Sequence, residues 1–335
     1  MFNNIMLRLK ALTFKHQNNK VWYYCLNHMR RLYPSFIFQS RLTAKLNTVN
    51  KFNLAYIQKR VNYYNRLNQN GTLPSSIPAL SELKLGKKMK VYYFDSYEYI
   101  RYFNPELKAR FLFGDIIHVP DVPSIVKSRP IKGNNSNSVI LKLDKIRHFR
   151  LINDKKKFTN KKNMLVSRGQ VYQSHRLRFM EMYFNHPMCN IGQTNKNKYS
   201  RFIVDRMTVD EHLDYKFILC LEGNDVASNL KWVMSSCSLA VMPEPTYETW
   251  FMEGTLIPNY HYVLIKDDYS DLEERMTYYL QHTDEALKII ENAHEYVNQF
   301  KNKDQEDLIS FLVLQKYFES TGQKIEKQSW NYSFG

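Results

Sequence analysis

A short segment in the middle of the chain, SRGQVYQSHRLR at 167–178, has arginines directly after a predicted strand and a glycine turn. Ser174 is the expected N-cap of the following helix. Arg176 and Arg178 would then lie in its first turns, where a cation opposes the helix dipole unless an anion is close. Backbone N–H groups and a forked guanidinium are together suited to a diphosphate. A solvated basic helix face explains the same spacing, so both interpretations stay open.

A second strand and helix, YKFILCLEGNDVASNLKW at 215–232, have the same layout. The simplest interpretation makes Asp225 the helix N-cap, because its carboxylate can accept hydrogen bonds from the first helical N–H groups. In the functional interpretation, the backbone of 224–228 faces a ligand. Glu222 or Asn229 would then contact a hydroxyl group of that ligand.

A third segment, MPEPTYETWFMEGTLIPNYHYVLI at 242–265, is rich in proline, glutamate and aromatic residues between two predicted strands. Glu248 and Glu253 are candidates to accept hydrogen bonds from ribose or sugar hydroxyls. Trp250 or Tyr247 is a candidate to stack on a ring. The alternative is a packed connection whose carboxylates are solvated.

Several common catalytic motifs are missing from the sequence. It contains no G-x-G-x-x-G, G-x-x-x-x-G-K-[ST], H-E-x-x-H or G-x-S-x-G, and no D-x-D pair to hold a metal on a nucleotide diphosphate. These absences argue against kinases, dehydrogenases, zinc hydrolases and metal-clamped transferases. The four cysteines form no C-x-x-C pair, which favours a reducing compartment, and Cys220 and Cys237 lie in apolar runs and are most simply buried thiols.

The charge is distributed unevenly along the chain. Residues 1–163 contain 31 Lys and Arg against 8 Asp and Glu, whereas the remaining residues contain 17 against 24. A basic half indicates an anionic partner, which would be nucleic acid, an anionic membrane surface or a phosphorylated glycan. Scattered solubilising lysine is the alternative.

The predicted helices and strands of the first half of the chain do not alternate regularly. We expect helices over 20–70, a strand over 90–95 that leads into a helix, and a strand over 110–116 that ends at Asp115. The proline-broken stretch at 118–138 predicts a loop without regular structure.

After a lysine-rich boundary at 153–163, strands and helices alternate regularly, which predicts an α/β fold with a parallel, doubly wound sheet. Two such halves suggest two Rossmann-like domains facing a cleft. The expected divisions are an N-terminal basic helical region, a Rossmann-like acceptor domain, a Rossmann-like nucleotide-sugar domain and a tail, at 1–80, 81–160, 161–325 and 326–335 respectively.

Taken together, these segments resemble glycosyltransferase family 90. The resemblance rests on SRG with the following HR, on YKFILCLEGNDVASNLKW with SSCSLAVM, and on ETWFMEG with LIPNYHYVLIKDDYSDLEE. It covers about 85–320, and VKSRPI with NSVILKLDKIRHF is most similar to the lipopolysaccharide-core branch of the family.

The resemblance implies a two-domain GT-B fold and inverting transfer of a sugar from a UDP-sugar. By matched position, the general base is Asp115 in FGDI, with Asp121 as the reserve candidate. The strand-end turn and the helix arginine imply contacts to the UDP diphosphate. The residues that the resemblance assigns to the nucleotide sugar are Arg168, Gly169, Gln170, Arg176, Asn224, Asp225, Val226, Ala227 and Ser228. The segments described above add Glu222, Asn229 and Glu253 as candidates for the same site.

Two positions depart from the family pattern, and the first is Gly114, which stands where better-understood members have an arginine before the general base. Asn229 stands where animal members have an arginine that binds the diphosphate. Lys231, or Lys127 together with Arg129, would supply the positive charge instead, and the latter two are also candidates for acceptor contacts.

The expected function is therefore a hexosyltransferase that moves a sugar, with glucose as the first choice, from UDP to a lipopolysaccharide core or other surface glycan. No metal or other cofactor is expected, because cations and helix N-termini can stabilise the departing UDP. The sequence has no apolar run of 18 residues, and we expect no signal peptide because the first 20 residues lack an apolar core and a small-residue cleavage site. We expect a cytoplasmic location, with the anionic inner membrane surface as a partner and no nucleic acid. The competing hypothesis is a basic nucleic-acid-binding protein without catalysis.

Overall fold

The structure is a computed structural model that describes residues 19–68, 73–196 and 199–325. The described chain forms two compact units. The predicted tail at 326–335, and residues 1–18 of the predicted basic region, lie outside the described residues. The helical unit consists of 20–146, 246–254 and 300–325, and the sheet unit consists of 147–245 and 255–299.

The strands are β1 (Phe111–Leu112), β2 (Ser124–Val126), β3 (Ser128–Pro130), β4 (Ser138–Ile140), β5 (Lys162–Gly169), β6 (Cys189–Gln193), β7 (Tyr215–Leu219), β8 (Leu239–Met242), β9 (Tyr247–Thr249) and β10 (Val263–Leu264). The α-helices are α1 (Lys20–Leu32), α2 (Phe36–Gln39), α3 (Leu42–Leu46), α4 (Leu54–Tyr64), α5 (Lys90–Ile100), α6 (Lys145–His148), α7 (Ser174–Tyr183), α8 (Val209–His212), α9 (Leu230–Met234), α10 (Leu272–Gln281), α11 (Thr283–Asn298) and α12 (Lys303–Ser320). Short 3-10 helices occupy Asn47–Lys51, Leu80–Glu82, Phe158–Asn160, Ser200–Phe202 and Glu253–Thr255.

The sheet unit is built on a parallel sheet with the strand order β10-β8-β7-β5-β6 among the described residues. The predicted α/β class with a parallel sheet is thus confirmed. Strand β7 is buried along its whole length, as expected for a central strand covered on both faces. Its Phe217 shares a core with Leu165 of β5 and Val241 of β8, and Phe179 of α7 and Ile289 of α11 belong to the same core.

The strand order contains a topological switch point. From β5 the chain runs through α7 to β6 on one side, whereas from β7 it runs through α9 to β8 on the other side. Because these two connections leave in opposite directions, the loops after β5 and β7 diverge at the carboxyl ends of two paired strands. In open α/β sheets this is where ligands bind.

The helical unit combines two small sheets with buried helices. Strands β1, β2 and β4 form a parallel sheet, and β3 pairs antiparallel with β9. Helix α12 contacts α4 through a buried ion pair in which Arg60 Nη2 lies 2.9 Å from Glu306 Oε1. The other carboxylate oxygen of Glu306 accepts hydrogen bonds from Lys142 and from the Trp250 indole, whose ring stacks on Tyr64 at 3.9 Å.

Two predictions for the helical unit were wrong. The predicted strand at 90–95 is the first half of α5, a helix whose buried side chains lie around most of its circumference. The stretch at 118–138 is not irregular throughout, because β2, β3 and the start of β4 fall within it. These strands are only three residues long each, and pairing with distant segments stabilises them.

Among the described residues, no helix combines the length and the apolar character that crossing a lipid bilayer requires.

Candidate active site

The loops that follow β5 and β7 form the centre of the candidate site in the sheet unit. The first loop runs from Gln170 to Gln173, directly before α7, and the second runs from Cys220 to Asn229, directly before α9. Strands β5 and β7 are direct neighbours, so these two loops emerge side by side. They are the two segments that the sequence singled out, and the strand order brings them together.

Arg176 joins the two loops. Its Nε donates to the Glu222 carbonyl at 2.8 Å and its Nη2 to the Leu221 carbonyl at 2.7 Å, while Nη1 donates to the Gln170 carbonyl at 2.8 Å. Burial lowers the pKa of Arg176, although Tyr269 and Glu222 raise it. An arginine ordinarily titrates above about 12, so the group stays a cation at neutral pH. A positive charge therefore lies between the two loops.

Two further side chains of the first loop and α7 reach the second loop. Gln173 Nε2 donates to Asn224 Oδ1 at 2.9 Å, and a ring nitrogen of His175 lies 2.9 Å from the Glu222 carbonyl. Ser174 was predicted to cap α7, but the helix begins at Ser174 itself and Gln173 occupies the N-cap position without a side-chain cap. The side chain of Gln173 instead connects the loops.

The second loop differs locally from its prediction. Asp225 does not cap α9, because that helix begins five residues later, at Leu230. Its side chain is buried, whereas Asn224 and Ser228 are exposed. Asn229 occupies the N-cap position, and its Nδ2 donates to the Leu219 carbonyl at the end of β7 at 2.9 Å. Val226 and Ala227 are buried and form the underside of the loop.

Arg168, at the end of β5, is held by groups of the neighbouring strand and loop. Its guanidinium donates to the Asn190 carbonyl at 2.7 Å, to the Asn190 side chain at 2.7 Å and to the Asp205 carbonyl at 3.1 Å. It therefore fixes the carboxyl end of the sheet next to Gly169 and Gln170, and Gln170 is exposed to solvent.

Asp115 lies in the helical unit, three residues after β1. It follows Gly114, whose φ of +114° is a conformation that glycine adopts without strain. Asp115 Oδ1 lies 2.5 Å from the ammonium nitrogen of Lys127, whose side chain is 1% exposed, while that of Asp115 is 28% exposed. The result is a fixed carboxylate that reaches solvent. Asp121, the reserve candidate, is exposed in the loop before β2.

Arg129 and Glu248 form a buried pair on neighbouring strands. Arg129 Nε lies 2.8 Å from Glu248 Oε1, and its other nitrogens donate to carbonyls of Tyr63, Tyr64 and Ser138. Glu248 also accepts a hydrogen bond from the Tyr63 hydroxyl. Because β3 and β9 pair these residues directly, the contacts explain Arg129 as an internal partner of a carboxylate.

Other candidates of the third segment are also buried. Glu253 accepts hydrogen bonds from the Thr249 backbone and hydroxyl at 2.6 Å and 2.9 Å, which closes the turn after β9. Trp250 is 1% exposed and stacks on Tyr64, so it packs inside the helical unit. Lys231 of α9 is likewise fully buried.

Sequence reasoning did not find the bridge from Gln173 to Asn224 or the contact of Lys127 with Asp115. The first depends on the adjacency of β5 and β7, and the second on β1 pairing with β2. Spacing along the chain carries no signal for either contact. Among the residues that the structure describes, no three His, Cys, Asp or Glu side chains are grouped closely enough to hold a metal ion.

Comparison with known proteins decides the family. A model of glycosyl transferase family 90 matches residues 140–330, which is more than half of the chain. The chain belongs to glycosyl transferase family 90. This family 90 protein is a glycosyltransferase, and the resemblance predicted from its motifs is confirmed. Family membership also decides against a nucleic-acid-binding protein without catalysis.

Two relatives of this family 90 chain differ widely in coverage. It is 43% identical over 265 residues to "O-glucosyltransferase LpsA" of Dichelobacter nodosus, which covers 79% of this chain and 83% of that protein. It is 30% identical over 103 residues to "Uncharacterized protein 035R" of Invertebrate iridescent virus 3, which covers 30% of this chain and 9% of that protein.

Proposed function

We propose that this family 90 chain is an inverting, metal-independent transferase that moves glucose from UDP-glucose to a hydroxyl of a lipopolysaccharide core or related surface glycan. The relative named O-glucosyltransferase LpsA supports glucose as the sugar and a lipopolysaccharide as the acceptor. The proposed arrangement is that of a GT-B enzyme, in which the sheet unit binds the donor and the helical unit binds the acceptor.

The observation that carries the donor proposal is the pair of loops joined by Arg176 at the switch point of the sheet. Ligands of doubly wound sheets bind outside the carboxyl ends of the strands at this position. Backbone N–H groups of the loops and of the first turn of α7 are suited to the phosphate oxygens of UDP. The Arg176 cation favours the negative charge that UDP gains as it leaves. This combination supports phosphate stabilisation without a metal.

The proposed reaction is a single displacement. The acceptor hydroxyl oxygen bonds to the anomeric carbon of the sugar, on the face opposite UDP. The bond from that carbon to the diphosphate oxygen breaks, and UDP leaves with the electron pair. Asp115 takes the hydroxyl proton as general base. The hydrogen bond from Lys127 fixes one oxygen of the carboxylate and so orients the group.

A donor panel in EDTA tests the proposed function. The purified chain is incubated with UDP-glucose, UDP-galactose or UDP-xylose and a core oligosaccharide, and released UDP and glycosylated product are measured. We expect product from UDP-glucose in the presence of EDTA. Product only after a divalent cation is added would contradict the metal-independent mechanism, and product from none of the UDP-sugars would contradict the donor class.

Replacement of the proposed base is the second test. Asp115→Asn keeps the shape of the side chain but removes its ability to accept a proton as a carboxylate, so we expect turnover to fall by about 10²- to 10⁴-fold. UDP affinity, measured by calorimetry, should stay within about twofold, a difference well below 1 kcal/mol. The matched control is Asp121→Asn, which changes an exposed carboxylate nearby. Equal activity losses in both variants, or retained turnover in Asp115→Asn, would refute the assignment.

A further inference from the structure

Helix α1 carries an exposed apolar stripe that the proposed chemistry does not use. Its side chains recur at helical spacing along one face of α1 and continue into the next turn. Six of them are large apolar side chains that are more than half exposed, among them Trp22 at 63%, Leu32 at 83% and Phe36 at 68%. We call this set the α1 stripe. Its members are Val21, Trp22, Cys25, Met29, Leu32, Tyr33 and Phe36.

The opposite face of α1 packs against α5, which fixes the orientation of the stripe. The Tyr23 hydroxyl donates to Asp95 Oδ1 at 2.7 Å, and the His28 ring packs on the Phe94 ring at 5.1 Å. Asn27, which lies between these contacts on the helix, is buried. Because the contacts with α5 occupy one face of α1, the stripe lies on the face that points away from α5. Contiguous exposed apolar surface of this kind typically marks an interaction site.

The charged residues near the α1 stripe indicate which kind of partner it binds. Residues 1–81 contain 12 Lys and Arg and no Asp or Glu. Of these cations, Lys20 lies at the start of α1, Arg41 and Lys45 follow shortly after its end, and all three are exposed. Arg31 of α1 is also exposed, but its guanidinium lies over the Tyr93 ring of α5. The partner must therefore offer both an apolar layer that buries these side chains and a negatively charged surface.

We propose that the α1 stripe docks on an anionic lipid bilayer. A helix with one apolar and aromatic face and flanking cations lies in the membrane interface, where apolar side chains enter the acyl boundary and cations meet lipid phosphates. Trp22 suits this depth, because an indole has an apolar body and one polar N–H. The attachment is peripheral and does not depend on which sugar or nucleotide the enzyme uses.

Other partners fit the same surface less well. A nucleic acid would meet the cations but would leave aliphatic side chains such as Leu32 and Met29 without an apolar environment. A second copy of this chain would bring together two basic segments, each without an acidic residue over 1–81, and like charges would oppose the contact. Both partners become outcomes of the test.

The test measures partition of the full chain onto sedimented vesicles in the absence of any nucleotide sugar. Vesicles of phosphatidylcholine are compared with vesicles that also contain phosphatidylglycerol. We expect binding to the anionic vesicles, weakened by added salt, and a loss of at least about tenfold in the triple variant Trp22→Gln, Leu32→Gln, Phe36→Gln, which corresponds to about 1.4 kcal/mol. The matched control replaces three exposed apolar residues of the sheet unit, Met182→Gln, Ile257→Gln and Leu287→Gln, and should bind as the wild type does.

A second measurement does not depend on how well the triple variant folds. Brominated lipids quench tryptophans that enter the bilayer, so they should quench the wild-type fluorescence. Trp22→Phe keeps the stripe apolar, and we expect it to bind the vesicles while losing that quenching.

Four results would overturn the proposal: no partition onto anionic vesicles, equal partition of the triple variant and the wild type, unchanged quenching in Trp22→Phe, or an oligonucleotide or self-association that replaces vesicle binding. Since no nucleotide is present in these measurements, a failure here leaves the UDP-sugar proposal standing. A failed donor panel likewise leaves the docking proposal standing.

Discussion

At the scale of single residues, the hydrogen bonds of a guanidinium limit what else it can bind. Arg176 carries five N–H donors, and three of them bond to carbonyls of the two loops. Its first effect is thus to hold the loops together and to keep a positive charge between them. Direct donation to a phosphate would use the remaining N–H groups. This role differs from the one that its place at a helix N-terminus suggested.

We expect Arg176→Ala to lower both stability and donor binding. The substitution leaves carbonyls of both loops without their charged donor, and each such loss costs about 1–3 kcal/mol when the group is buried. Thermal unfolding and UDP calorimetry measure the two effects. The control is Arg178→Ala on the exposed side of the same helix, which should change the free energy of unfolding by less than about 0.5 kcal/mol. Unchanged UDP affinity in Arg176→Ala would mean that loop geometry does not matter for the donor.

At the scale of elements, what the sequence revealed depends on how its apolar residues are arranged. The strand-turn-helix segments around β5 and β7 were predictable, because each has a short apolar run followed by polar turn residues. Helix α5 was mistaken for a strand, because Tyr92, Tyr93 and Phe94 are consecutive and all buried. A helix buried on most sides lacks the period that distinguishes it from a strand. Strand β3 was missed because its partner β9 lies more than a hundred residues away.

The contact of α1 with α5 makes a prediction about pH. Burial raises the pKa of Asp95 to about 7, even though Lys145 and other donors lower it. Between the ordinary value of about 4 and pH 7, the folded protein then binds a proton that the unfolded chain has lost. Stability should fall as pH rises through this window, by of the order of 1 kcal/mol per pH unit. Asp95→Asn removes the titrating group, so the free energy of unfolding of this variant should lose the pH dependence that Asp95 causes. Urea unfolding at several pH values between 4 and 7 measures the difference.

Glu98, on the same helix, provides the matched control. Burial would raise its pKa, but Lys145 and Arg30 lower it to about 2. Its contribution is complete above the ordinary value of about 4.3 and is lost only as pH falls towards 2. Glu98→Gln retains Asp95, so its stability should still fall as pH rises from 5 to 7, although the fall ends at a lower pH because the Glu98 charge helps to raise the pKa of Asp95. A wild-type slope that survives in Asp95→Asn would show that another group causes it.

At the scale of the whole molecule, the path of the chain was the least predictable feature. The helical unit takes 246–254 and 300–325 from far along the sequence. Local patterns identify α12 as a helix but do not reveal which core it completes. The same contrast between predictable elements and an unpredictable arrangement holds for the candidate site. The loops after β5 and β7 could be recognised individually, but their adjacency follows from strand order, which only long-range pairing determines.

This path predicts which truncation unfolds the helical unit. Helix α12 buries apolar side chains along most of its length, and each contributes about 2 kcal/mol. Eight of them are Leu308, Ile309, Phe311, Leu312, Val313, Leu314, Tyr317 and Phe318. The net stability of a domain is only about 5–15 kcal/mol, so the loss of several such side chains is enough to unfold it. Removal of α12 also leaves Arg60 and Lys142 buried without Glu306, and breaking a buried ion pair alone costs about 3–5 kcal/mol.

A chain that ends at residue 299 should consequently lose the folded helical unit, whereas one that ends at residue 325 keeps every contact named here. Limited proteolysis with mass spectrometry measures the difference. We expect rapid cleavage within 20–146 in the shorter chain, and slow cleavage of the same region in the longer one. Strands β5 to β8 and helices α10 and α11 belong to the sheet unit, which keeps its own core, so their protection should outlast that of 20–146. Equal protection of 20–146 in both truncated chains would mean that α12 is an accessory to the helical core and not part of it.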